Sequence, residues 1–166
     1  MDQGLSCLHP SSGGDVTGNA HRLFGLAFGV SAAAIVTPLY GVPAGVAVTA
    51  ASYPGATAPD WMEIRRGDFT LIPHRTITHW PAPWLVLLAI SIAWLPYSPL
   101  GAAVLMGFSL GALSHVLGDA GTPSGVPVWH PGKRHSLKLW DSRSSEVWPV
   151  LVAWVIAVLL FRSLVL

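Results

Sequence analysis

The chain has 166 residues, of which 52% are hydrophobic and only 10% charged, with a mean hydropathy of +0.54. A soluble domain carries roughly 25% charged residues, so lipid rather than water is expected to solvate much of the surface. The net charge of +1 comes without a basic stripe able to neutralise a run of phosphates, so no nucleic-acid partner is expected, and the single Cys7 excludes an internal disulfide or a CxxC motif.

Residues 1–19 are rich in Gly and Ser and lack apolar periodicity, which predicts a mobile tail. No basic region followed by an apolar core marks them as a signal peptide. Residues 20–166 read as one helical membrane domain. From Leu23 to Tyr53 there is no charge, and the stretch exceeds the roughly 20 residues of a straight span. Pro38, Gly41 and Pro43 in its middle predict two short helices meeting at a tight turn. The second, Gly- and Ala-rich, is suited to close packing, and residues 42–52 are expected to be tilted or re-entrant.

A polar block follows from Pro59 to Trp80. Next come apolar runs from Pro83 to Leu95 and from Leu100 to Leu117, joined through Pro96-Tyr97-Ser98-Pro99, the pattern of a helical hairpin. A second polar stretch, 118–146, leads to a last apolar helix from Val147 to Phe161. The expected fold is an all-α, multi-spanning bundle of four to five short apolar helices, with two polar loops at 59–80 and 118–146. Eight tryptophans suit the two interfaces of a bilayer.

Two hairpins would return the chain to the side it left, so the tail and both polar blocks share one face. Eight of the nine basic residues fall there, Arg162 being the exception, and so do all seven histidines. The positive-inside rule makes that face cytoplasmic.

His115 and Asp119, four apart at the end of an apolar run, would stack on one helical face. An imidazole nitrogen and a carboxylate oxygen so placed can share a divalent cation, or form a plain ion pair. His79 precedes Trp80-Pro81 at the mouth of the next helix and is a further candidate ligand. His74 reads as a ligand or as an acid/base beside the metal. Arg75 has the fork that matches phosphate oxygens, unless it merely obeys the orientation rule. Asp60 follows Ala58-Pro59, where a carboxylate is costly unless wet, paired or on a metal; it could equally cap a short helix starting at Trp61. His21 and Glu146 each adjoin an apolar run, Glu146 as a helix-dipole partner or an addition to the site. A His and Asp donor set suits Zn, Mn or Fe.

These motifs, in this order, resemble the YdjM-like inner-membrane proteins described as metal-dependent hydrolases and as LexA-regulated. The resemblance rests on His21, Pro59-Asp60, His-Arg-x-x-Thr-His at His74 to His79, and Gly111-x-x-x-His115-x-x-x-Asp119. A closing Thr122-Pro123-x-Gly125-Val126-Pro127 with Pro131 completes it. The family's Pro-Asp-x-Asp is interrupted here by Met62, with Glu63 a possible substitute, and Thr76 and Trp80 replace the usual Gly and Ser. The resemblance implies metal-dependent hydrolysis, and a site at the level of the head groups favours a phosphoester or lipid-derived substrate. His21, Asp60, His79, His115 and Asp119 would bind a divalent metal, zinc first; His74 would move protons and Arg75 would steady negative charge. A metal-ion transporter or sensor, or a structural membrane protein whose His and Asp satisfy one another, are the competing expectations.

Overall fold

The computed structural model describes residues 18–63, 65–66, 69–70, 72, 75–141 and 145–165. Its helices are α1 (Gly18–Tyr40), α2 (Val42–Gly55), α3 (Ala58–Trp61), α4 (Pro81–Trp94), α5 (Pro99–Ala120) and α6 (Val147–Val165). The expected tail lies outside the described residues except for Gly18 and Asn19, which open α1. Helix α1 runs through Pro38, and the chain turns instead at Gly41, whose φ of +87° is a value glycine adopts without Cβ strain. Pro43 then sits in the first turn of α2, where its missing N–H costs nothing.

Both polar blocks contain a small antiparallel hairpin that the all-α expectation lacked. In the first, β1 (Arg65–Arg66) pairs with β2 (Phe69–Thr70). In the second, β3 (Val126–His130) pairs with β4 (Lys133–His135), Val126 opposite His135 and His130 opposite Lys133. The turn signal is Pro131-Gly132, set between residues of mixed polarity.

Helix α5 is central, packing on α1, α2 and α4, whereas α6 rests on α1 and leaves most of its surface exposed. Helices α1, α5 and α6 are long and apolar enough to cross a membrane. Helix α2, with 14 residues, is shorter than the roughly 20 of a straight crossing. One core cluster joins Ala33, Val36, Val48, Ala103 and Met106 from α1, α2 and α5. A second gathers Ala58, Trp84, Ala112, Val116 and Val126 beneath the polar loops.

The tight element is the seam between α2 and α5. Gly107 and Gly111 lie against the backbone of Val48 and Ser52, and Gly55 lies against Phe108. Small residues at this spacing let two backbones touch, which stands in for the hydrophobic drive that lipid removes. A Cβ on Gly111 would collide with the Ser52 carbonyl oxygen and lie 2.6 Å from the Ala56 nitrogen. Gly18 has open space around it. Gly111→Ala is therefore expected to lower the unfolding midpoint in detergent, at a cost of about 1–3 kcal/mol. Gly18→Ala should leave it unchanged or raise it slightly, and equal midpoints for the two variants would refute the close seam.

Candidate metal centre

One turn beyond Gly111 on α5 stands His115, and one turn further Asp119, both fully buried. The glycine seam brings Ala56, just past α2, close enough for its carbonyl to lie 2.8 Å from His115 Nδ1. From there the chain turns through Thr57 into α3. Asp60 sits inside that helix rather than capping it, since Thr57 holds the N-cap position. Its side chain is 47% exposed, the open member of the cluster. His79 ends a 3₁₀ turn, Ile77–His79, pinned by the Trp84 indole N–H donating to the Thr78 carbonyl at 2.8 Å.

These elements bring donor atoms together. His79 Nε2 and His115 Nε2 are 3.2 Å apart, and Asp60 Oδ1 lies 3.4 and 3.3 Å from them. Asp119 Oδ2 is 3.5 Å from His79 Nε2 and 3.6 Å from His115 Nε2. Ligands of a tetrahedral zinc, with bonds of about 2.0–2.1 Å, stand about 3.3–3.4 Å apart.

Hydrogen-bond partners assign the ring protons. The His115 Nδ1 proton goes to the Ala56 carbonyl, and His79 Nδ1 faces Glu63 Oε1 at 3.4 Å and Thr78 Oγ1 at 3.1 Å. Protons on both Nδ1 atoms leave two Nε2 lone pairs aimed at one point, an arrangement that a cation between them relieves. Burial works against ionisation of Asp60; hydrogen bonds from His115 and His79 would outweigh it and hold the carboxyl below the usual carboxylate range only where Nε2 carries the proton instead.

His21, from the first turn of α1, stacks on His115 with ring centroids 3.7 Å apart. Its Nε2 is 3.5 Å from Asp119 Oδ1, too long for a good hydrogen bond. His21 Nδ1 and Asp119 Oδ1 are buried without a hydrogen-bond partner among the described residues. Asp119 thus turns one oxygen to the facing imidazoles and the other to His21.

Arg75 is buried at a φ of +56°, unusual for a side chain with a Cβ. Its backbone N–H donates to Glu63 Oε1 at 3.1 Å, and its guanidinium donates to the Gly125 carbonyl at 3.2 Å and pairs with Asp119 Oδ2 at 3.0 Å. Backbone strain held by three such contacts is typical of functional sites.

All five residues read from the sequence as metal ligands therefore meet, with Arg75 beside them. His74 lies outside the described residues. Sequence reasoning missed the work of Glu63, which it considered only as a replacement ligand; the spacing Asp60-x-x-Glu63 hinted at a carboxylate here, but not at its partners. The Ala56 carbonyl left no side-chain signal at all.

Long apolar helices, with histidines and aspartates converging beside the ends of two of them, define an integral membrane protein with a cluster that could hold a metal. The sequence model of a family described as "YdjM inner membrane protein" matches residues 16–165, and the chain belongs to that family. No curated protein and no solved structure matches it.

Removing the Asp119 charge leaves the Arg75 guanidinium buried beside a neutral group. Asp119→Asn is expected to destabilise the metal-free protein by about 3–5 kcal/mol. Asp60→Asn, at the open edge, should cost far less, and chemical denaturation in detergent with a chelator present compares them. Similar losses would show that the Arg75–Asp119 pair is not what the core depends on.

Proposed function

We propose that the cluster holds a divalent metal ion, zinc being the best fit with manganese or iron as alternatives. On this reading the protein is a membrane-embedded metal-dependent hydrolase acting on a phosphoester or lipid-derived substrate at the cytoplasmic interface. The observation that carries it is the pair of Nε2 atoms 3.2 Å apart, each on a ring whose Nδ1 faces an acceptor.

His79, His115, Asp60 and Asp119 would hold the ion, with His21 adding a donor on the far oxygen of Asp119. A cation held there would supply Lewis acidity to an ester oxygen and to water near neutral pH. The chain's own groups do the rest. The Ala56 carbonyl and Glu63 fix the two rings so that Nε2 faces inward. Asp60, half open to the outside, marks where a substrate would arrive. The Arg75 guanidinium, braced by Gly125 and Asp119, places fixed positive charge where negative charge would develop. His74, next to Arg75 in the chain, is assigned proton transfer.

Those donors that lie on candidate spans, His21, His115 and Asp119, come from the first turn of α1 and the last two turns of α5, at the ends of the spans rather than their middles. That position favours chemistry at an interface over passage of an ion through the bilayer. The excess of Lys and Arg on the loops of this side favours the cytoplasm as the compartment it faces.

Elemental analysis of detergent-purified protein is the test. Near-stoichiometric Zn, Mn or Fe is expected in the wild type and should be lost in His115→Ala and in Asp119→Ala. Glu63→Gln should keep the ion but bind it about 10–100-fold more weakly. A wild type that stays empty after metal reconstitution would leave a purely structural cluster. If metal binds, a phosphoester and lipid screen with and without chelator follows; vectorial metal uptake into vesicles, with no turnover, would instead make the protein a transporter.

A further inference from the structure

Beyond the metal cluster, three strongly exposed large apolar side chains of the second polar loop lie on and just after one hairpin. Trp129 in β3 is 84% exposed, and Leu137 and Leu139 after β4 are 61% and 65% exposed. Interleaved with them are Lys133, Arg134 and Lys138, all exposed, and no Asp or Glu occurs from Ala120 to Trp140. In water such a surface is unfavourable, since contiguous exposed apolar groups mark a partner. The mixture of one tryptophan, two leucines and three cations suits one environment in particular, the head-group layer of an anionic bilayer.

Its attachment fixes where it lies. The Leu137 N–H donates to the Ala120 carbonyl at 2.9 Å, and the Leu139 N–H donates to the Gly121 carbonyl at 2.8 Å. These bonds take up carbonyls that the end of α5 would otherwise leave open. Helix α5 has 22 residues, about 33 Å, enough to cross the hydrocarbon of a bilayer. Whatever is bonded to its last residue sits at the membrane surface. The Trp140 indole N–H donates to the Gly118 carbonyl at 3.2 Å and holds the returning strand down.

We infer that this hairpin, with the strand that follows it, is a docking surface for anionic phospholipid head groups of the membrane that holds the protein. Lys133, Arg134 and Lys138 meet the phosphates, and Trp129, Leu137 and Leu139 enter the region just below them. This surface is independent of whether the nearby cluster is catalytic. It is also tied to that cluster: the Trp80 indole N–H donates to the Val128 carbonyl at 2.9 Å, and Arg75 bonds to Gly125 at the root of β3. Lipid held by the hairpin is therefore held in register with the cluster.

The test places an environment-sensitive fluorophore on His130→Cys in a Cys7→Ser background, leaving all six contact residues intact. The full chain is reconstituted in nanodiscs of phosphatidylcholine alone or with phosphatidylglycerol, each doped with a nitroxide lipid labelled near the head group. Quenching is expected in the phosphatidylglycerol discs and little in the neutral ones. A basic side chain at an anionic surface contributes roughly fivefold, so K133Q/R134Q/K138Q should weaken docking on the order of 100-fold and reduce quenching to the neutral-disc level. Salt checks this without altering the three cations: at 1 M, where the Debye length is about 3 Å, quenching in the unsubstituted hairpin should fall in the same way. Quenching that is equal in both lipids and indifferent to salt would overturn the assignment to anionic head groups. Water-like emission and no quenching in either lipid would overturn docking altogether.

Discussion

The structure depends on one close approach, the glycine seam between α2 and α5. Because Gly107 and Gly111 present no side chain, the α2 backbone lies directly on α5, and the chain leaving α2 passes within hydrogen-bonding distance of His115. That single bond from His115 Nδ1 to the Ala56 carbonyl sets the ring's orientation and its tautomer. It also anchors the start of the segment that delivers Asp60 a few residues later. Helix packing and site geometry are thus one constraint, and a methyl group on the seam would disturb both. In lipid no hydrophobic force would repair the gap, because the surrounding solvent is as apolar as the helix faces.

Electrostatics explains why the cluster has this composition. Counted at formal charge, Asp60, Glu63 and Asp119 with Arg75 sum to minus two, while the imidazoles are neutral if each keeps its proton on Nδ1. Isolated charges in such a place cost several kcal/mol each, and ionisable residues at membrane depth mark function more often than stability. Arg75 offsets part of the charge by pairing with Asp119. A divalent cation would offset the rest, and it would do so at the point where the four donor atoms converge. Protonating two imidazoles is the alternative, but it would set two Nε2–H groups against each other at 3.2 Å.

Much of this was legible in the sequence because membrane chains announce their apolar runs, and glycine and proline announce where those runs break. The five apolar segments, the hairpin at Pro96-Tyr97-Ser98-Pro99 and the pairing of His115 with Asp119 follow from period and spacing alone. Which of Pro38, Gly41 and Pro43 makes the break did not, since a proline removes one hydrogen bond without ending a helix that its neighbours support. The hairpin at Val126–His135 was hidden because its alternation is short and, past Val126 and Pro127, its strand residues are exposed. Glu63 was underread for a different reason: a carboxylate that orients a ligand leaves the same letter in the sequence as one that is a ligand. The contacts of Ala56 were invisible, because a backbone carbonyl leaves no letter of its own.

The placement of Asp119 bears on the choice between a structural salt bridge and a cation site. It lies in the last turn of α5, where aligned peptide dipoles leave partial negative charge, so a carboxylate there is disfavoured. A chain selecting only for an ion pair with Arg75 would do better with the acid at a helix N-terminus. The same negative end attracts a cation, and it adds to the pull of Asp119, Asp60 and the two imidazole lone pairs. What is a poor position for an anion alone is a good one for an anion that binds a metal. The glycine seam, the fixed tautomers and the strained Arg75 would all serve to hold a cation there.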